Sequence, residues 1–211
     1  MQTTKEQAIQ MLNTMASMQD EHNKHVHPDW RNEGYEYYRA IWVECAEMLD
    51  HFGWKWWKKQ TPDLDQVKLE LVDIWHFALS ELLRSGQLED SVADLLAQSE
   101  IQDEPSADSF RTSIEQLAES TLRTRSFVLD DFVGAMTKLP MTYAELYSMY
   151  VGKNVLNNFR QAHGYKDGTY QKLWQGREDN EHLVEVLNAL ETRGTFTPQD
   201  VYQQLEARYP G

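Results

Sequence analysis

The sequence is poor in cysteine, poor in positive charge and without any long apolar run. Cys45 is the one cysteine among 211 residues. No disulfide can form within the chain, which fits a reducing cytosol. Lys and Arg number 20 against 34 Asp and Glu, a formal net charge of -14. Such a surface repels nucleic acid polymers and anionic lipid. Small phosphorylated ligands stay open, because a local basic patch could hold them. Glu, Asp or Lys breaks the apolar stretches every few residues, so none reaches the roughly 20 residues of a membrane span. The start, MQTTKEQAIQMLNTM, lacks a basic segment followed by an apolar one, so no secretory signal is expected. These readings place the protein in the cytoplasm, away from membranes.

Sheet signals are scarce too, since no alternating stretch persists. Helical periodicity fills the chain instead and predicts an all-α fold. Thr3 with Glu6 predicts a capping box opening a helix over 5–23, with Ile9, Leu12 and Met15 as its stripe. Further helices are expected from about Tyr35 to Phe52 and from about Leu64 to Arg84. One is expected over 109–137, one from Thr142 and Glu145 through about Ala162, and one over 180–192. The last opens at Thr197-Pro198. The segment of about 85–110 is acidic and holds Ser, Gly and Pro, so it reads as a variable insertion with a short helix. Residues 163–179 read as a Gly-punctuated loop. The expectation is a single domain over 1–211.

Two carboxylates three residues apart recur at Glu33/Glu36, Glu44/Glu47, Glu47/Asp50, Glu70/Asp73, Glu100/Asp103 and Glu178/Glu181. Spacing alone therefore decides nothing, because most such pairs are solvated helix faces. Context separates two of them. Glu44 and Glu47 lie among Ile41, Trp42, Val43, Cys45, Met48 and Leu49, and Glu70 and Asp73 lie among Leu71, Val72, Ile74, Trp75 and Leu79. Helices that are apolar nearly all round are expected to be buried. A buried carboxylate needs a partner, and neither core segment has a Lys or Arg. Four facing carboxylates would make an all-oxygen site of the kind hard cations prefer, above all Mg²⁺ on phosphates. Elsewhere, Lys153, Asn157 and Arg160 fall at i, i+4 and i+7 on one helix face. Lys166 and Lys172 follow in the Gly-rich loop. Cations and an amide on one face suit phosphate and hydroxyl groups. Of the neighbours, Cys45 and His76 read as core, Trp54 and Trp57 as core or dimer packing, and His51 is left without a role.

The stretches ECAEMLDHFGWKWWKK, ELVDIWHFALSELL and YVGKNVLNNFRQAHGYKDGTYQKLWQGREDNEHL resemble the dimeric dUTPases, a branch of the all-α nucleoside triphosphate pyrophosphatase superfamily. The resemblance covers roughly residues 15–84 and 143–183. It implies a homodimeric helical bundle that hydrolyses dUTP, and also dUDP, to dUMP. Glu44, Glu47, Glu70 and Asp73 would hold two or more Mg²⁺ ions per site. Gln19 and Asn23 match uracil-contacting positions, although the family has Leu where Met18 and His22 stand. His76 and Asn157 match positions near the deoxyribose 3′-hydroxyl. Phe77 matches the residue packed where a 2′-hydroxyl would sit, and Trp56 an aromatic beside the base. Lys153, Arg160, Tyr165, Lys166 and Lys172 match the phosphate set. Water would attack the β-phosphorus, oriented or deprotonated by Glu44 or Glu47. The rivals are a pyrophosphatase for another nucleotide such as dCTP, a di-iron carboxylate bundle and a non-catalytic interaction protein. A di-iron bundle wants Glu-x-x-His from two helices, which Asp73-x-x-His76 and Asp179-x-x-His182 imitate poorly.

Overall fold

The structure, a computed structural model, describes residues 3–99 and 106–210. Residues 100–105 of the expected insertion, with the Glu100/Asp103 pair, lie outside the described residues. The described chain is all-α, with nine helices. They are α1 Lys5–Val26, α2 Tyr37–Phe52, α3 Leu64–Ser85, α4 Asp90–Gln98, α5 Ala107–Thr124, α6 Leu129–Lys138, α7 Tyr143–Ala162, α8 Asp179–Arg193 and α9 Pro198–Glu206. Among the described residues no helix is long and apolar enough to cross a membrane. Contacts group the chain into two units, Met1–Tyr147 and Ser148–Gly211.

In the first unit α2 packs along α3, α5 covers α2, α6 covers α5, and α1 packs on α3 and α4. The start of α1 corrects the expected cap by one residue. Thr4 receives the Gln7 amide and Gln7 Oε1 receives the Thr4 amide, so the box is Thr4/Gln7. Gln at the third helical position serves as well as Glu. The central helix is α3, with Val67, Leu71, Val72, Ile74, Trp75, Ala78 and Leu79 all buried. Trp75 stacks on Phe132, ring centres 5.2 Å apart.

The helix expected over 109–137 is two helices. Arg125 turns left-handed (φ 54°) and ends α5. The Ser126 hydroxyl and the Phe127 amide then donate to Glu81 of α3, at 3.1 Å for the amide. A tertiary acceptor thus stabilises a break that carries no Gly or Pro. A second correction concerns α2. Its inner face buries Ile41, Cys45, Met48 and Phe52, but Trp42, Val43, Ala46 and Glu47 are exposed. Its apolar character is therefore not burial all round. A third concerns Trp54 and Trp57, which are 44% and 58% exposed rather than core.

In the second unit α8 packs against α9. The capping boxes at Glu178/Glu181 and Thr197/Asp200 open these two helices. The Thr142/Glu145 box opens α7 as expected. The segment read as loop holds a two-residue antiparallel ladder, Leu173–Trp174 (β1) with Arg177–Glu178 (β2). Gln175 and Gly176, at φ 53° and 84°, make its turn. Two successive positive φ values are what the tightest hairpins need. Phe159, His163, Tyr170, Trp174 and Tyr209 form an aromatic core around it.

Candidate functional site

The two glutamate-bearing helices meet as the sequence predicts. Glu44 and Glu47 stand one turn apart on α2, and Glu70 and Asp73 one turn apart on α3. One carboxylate oxygen from each of Glu44, Glu47 and Glu70 lies within 4.8 Å of the others. Glu70 is buried, Glu44 and Asp73 are half-buried, and Glu47 faces solvent. Burial pushes the Glu44 carboxyl up to about 9, with the charges of Asp73, Glu70 and Glu47 and a hydrogen bond to Glu70 adding to it. Like charges gathered with so little water hold a proton that a bound cation would displace. His51, to which the sequence assigns no role, sits one turn beyond Glu47. Its Nε2 lies 3.3 Å from Glu70 Oε1. The signal for it is its place on the glutamate stripe.

Beside this cluster is a polar knot that joins α1 to α3. Gln19 Nε2 donates to Asn23 Oδ1 and to Ser80 Oγ, both at 3.0 Å. Asn23 Nδ2 donates to Ser80 Oγ at 2.9 Å, and that hydroxyl donates to the His76 carbonyl at 3.0 Å. The two residues matched to the uracil are therefore brought together, with Ser80 as a member that nothing in the sequence singles out. Tyr37 lies near Ser80, and burial above all raises its phenol, the nearby Arg84 and Ser80 opposing. His76 is buried, and its Nδ1 donates to the Val72 carbonyl at 2.9 Å. Only an N–H can pair with a carbonyl, so this fixes the tautomer in the neutral ring. Phe77 is half-buried on the same helix.

Trp56 is 90% exposed. It lines a cavity of about 340 Å³ with Phe52, Trp54, Lys58 and Arg111. The turn that carries it is braced from both sides. Gln60 Oε1 accepts the amides of Trp54 and Lys55 at 3.0 and 2.7 Å, and Arg111 donates twice to the Gly53 carbonyl at 2.9 and 2.7 Å. An exposed ring on a pinned turn can present a flat face with little loss of entropy.

In the second unit the expected face of α7 forms, but it is not a bare cationic surface. Lys153 is 1% exposed, and its Nζ donates to Asn180 Oδ1 at 3.0 Å. Arg160 grips Asp179 with Nε and Nη2, both at 2.8 Å, while its Nη1 donates to Asn157 at 3.2 Å. Tyr165 is half-exposed and lies 5.9 Å under the Arg160 guanidinium. Lys166 is exposed. Lys172 pairs with Glu178 at 3.0 Å at the surface, an ion pair worth little in water. The 163–172 loop that carries them depends on Gly164 (φ +86°), where a Cβ would come within 2.0 Å of Thr169 Oγ1.

No curated protein matches the chain. A family model described as dUTPase matches residues 11–165. That span holds the four carboxylates, the Gln19–Asn23–Ser80 knot, Lys153, Asn157 and Arg160. The match covers most of the chain and the described fold is all-α, so the chain belongs to the all-α dUTPase family of metal-dependent nucleotide hydrolases and is a dUTP diphosphatase.

Proposed function

We propose that the chain hydrolyses dUTP, and dUDP, to dUMP with Mg²⁺ held by Glu44, Glu47, Glu70 and Asp73. The observation that supports this most is the Glu44 environment. Three carboxylates lie within 4.8 Å with a fourth nearby, and burial and the like charges together keep a proton on Glu44 at neutral pH. An all-oxygen donor set of that charge fits a hard divalent cation, and more than one ion fits its charge count. Bound there, Mg²⁺ supplies Lewis-acid polarisation of the phosphate chain and of the attacking water.

The chain's own residues do the rest. Glu44 or Glu47 orients the water for in-line attack at the β-phosphorus and takes its proton. Glu47 is the solvent-facing member and Glu44 the deeper one. Gln19 and Asn23, held by Ser80, present amide donors and acceptors to the uracil edge. Phe77 leaves no room for a 2′-hydroxyl, and His76 with Asn157 addresses the 3′-hydroxyl. Trp56 lies beside the base. Lys153, Arg160, Tyr165, Lys166 and Lys172 take the phosphate oxygens, where fixed cations stabilise the developing charge.

The same reading includes a homodimer in the cytoplasm. The exposed Trp42, Val43 and Ala46 on α2 are apolar surface of the sort that subunits cover. Sedimentation at micromolar concentration checks this, and a monomer at all concentrations would contradict it.

The test of the function is hydrolysis of dUTP, dUDP, dCTP, dTTP and UTP with Mg²⁺ and with EDTA, products identified. Turnover of dUTP and dUDP to dUMP, refusal of UTP and loss in EDTA are expected. Turnover of dCTP in place of dUTP would discard the uracil assignment and keep the carboxylates. Activity unchanged in EDTA would discard the metal.

A further inference from the structure

Asp179 is a carboxylate with no exposed surface. It is the first residue of α8, and three side-chain bonds of 2.8 Å end on it. Arg160 Nε and the Tyr170 hydroxyl donate to Oδ2, and Arg160 Nη2 donates to Oδ1. Its own amide donates to the Lys172 carbonyl at 3.0 Å. The next residue continues the pattern, for Asn180 Oδ1 accepts from Lys153 at 3.0 Å and from Arg160 Nη2 at 3.3 Å. Two consecutive residues at one helix start thus hold both cations of α7. They also hold the Gly-rich segment at Tyr170 and Lys172. A helix N-terminus favours an anion there as well.

The arrangement has a chemical consequence. An arginine side chain loses much rotamer freedom when it is fixed. A two-toothed grip on Nε and Nη2 fixes the plane of the guanidinium before any ligand arrives. It leaves Nη1 as the nitrogen turned away from Asp179, toward Asn157. The same guanidinium lies over the Tyr165 ring, 5.9 Å from its centre. Asp179 lies beyond the residues that the family model matches. In sequence it offers only a weak metal-ligand spacing with His182.

We propose that Asp179 is a positioning residue for the nucleotide phosphates, acting through Arg160 and Tyr170. It orients the guanidinium and ties the 163–172 segment to α8, so that both are in place when dUTP binds. This rests on the reading that Arg160 takes phosphate oxygens, and kinetics of the two residues separate the two claims.

Steady-state kinetics are measured for Asp179→Asn, Arg160→Lys and the double variant, with deoxyuridine as a competitive inhibitor that carries no phosphate. Asp179→Asn is expected to raise KM for dUTP roughly ten- to hundredfold, the scale of one charge-assisted hydrogen-bond arrangement. Its deoxyuridine inhibition constant stays within about twofold of wild type, a change too small to mark coupling. Arg160→Lys is impaired as well, and adding Asp179→Asn to it raises KM by no more than the few-fold of the lost Tyr170 tether, because the grip on the guanidinium is already gone. Wild-type kinetics in Asp179→Asn beside an impaired Arg160→Lys would overturn the proposal and keep the Arg160 reading. Wild-type kinetics in Arg160→Lys would overturn both. Equal loss of dUTP and deoxyuridine binding, adding to the Arg160→Lys effect, would mark a merely structural ion pair and overturn the proposal. If Asp179→Asn does not fold, Tyr170→Phe removes one of the three donors and leaves the buried charge paired. It is expected to raise KM for dUTP a few-fold with deoxyuridine unaffected, and no change in KM would overturn the proposal.

Discussion

Two carboxylates in this molecule are removed from water in opposite ways. Asp179 has no exposed surface, yet its carboxyl lies below the usual range. Burial pushes it up, but the Arg160 bonds and charge, the Tyr170 hydroxyl and the Lys153 charge pull it down further. Glu44 is less deeply placed, yet it is pushed up to about 9, by burial first and then by the like charges of Asp73, Glu70 and Glu47. The first charge is balanced within the folded chain. The second is crowded by like charges, which a bound divalent cation would offset. Burial alone does not tell a carboxylate held ionised by cations from one kept protonated among like charges, whereas the sign of its surroundings does.

Exchanging charge for an amide at the two places separates them further. Glu44→Gln is expected to lower dUTP turnover by about 10²–10⁴-fold, the range for a proton-transfer or orienting group. The metal-free protein should be no less stable than wild type near neutral pH, since the amide replaces a carboxyl that is already protonated and neutral. Thermal melts with and without Mg²⁺ check this, and near wild-type turnover in both Glu44→Gln and Glu47→Gln would break the assignment. Asp179→Asn should instead destabilise the fold by about 3 kcal/mol, since it leaves Arg160 without its counter-charge. Urea titration reads that difference.

The pH dependence of stability should show both signs. Between about pH 4.5 and about 9 the unfolded chain has lost the Glu44 proton and the folded chain keeps it. The metal-free protein therefore loses stability as pH rises through that window. Asp179 works the other way. Its contribution is complete above its ordinary value of 3.8 and is lost as pH falls through its lower folded value. Melting temperatures from about pH 4.5 to about 9, for wild type and for Glu44→Gln, should show the loss with rising pH only in the wild type.

The smallest effect on folding belongs to Trp56. Trp56→Ala should change stability by no more than about 0.5 kcal/mol, as for other exposed positions. It should still raise KM for dUTP and remove part of the fluorescence change on binding dUMP. Unchanged KM and an unchanged fluorescence response would remove Trp56 from the base site.

Much of the fold and of the carboxylate cluster is legible in the sequence alone. Glu44 and Glu70 stand out because their neighbours are apolar, and the Thr142 and Thr197 caps follow from local chemistry. What the sequence hides depends on partners distant along the chain. Ser80 matters because it meets Gln19, 61 residues away. Asp179 looks in sequence like one of several acidic residues at a helix start, and its guanidinium partner lies 19 residues back. The left-handed Arg125 ends a helix without a breaker residue, because Glu81 of α3 receives the freed groups. Trp54 and Trp57 mislead only as core residues, since a large apolar ring need not be buried within its own chain.

The most direct measurement is calorimetric titration of the metal-free protein with Mg²⁺ at neutral pH, in buffers of different protonation enthalpy, for wild type and Glu44→Gln. If burial and like charges keep a proton on Glu44, Mg²⁺ binding to the wild type releases that proton. Glu44→Gln then binds at least about tenfold more weakly and releases none. Undiminished Mg²⁺ binding in Glu44→Gln, with no proton released by either protein, would contradict it.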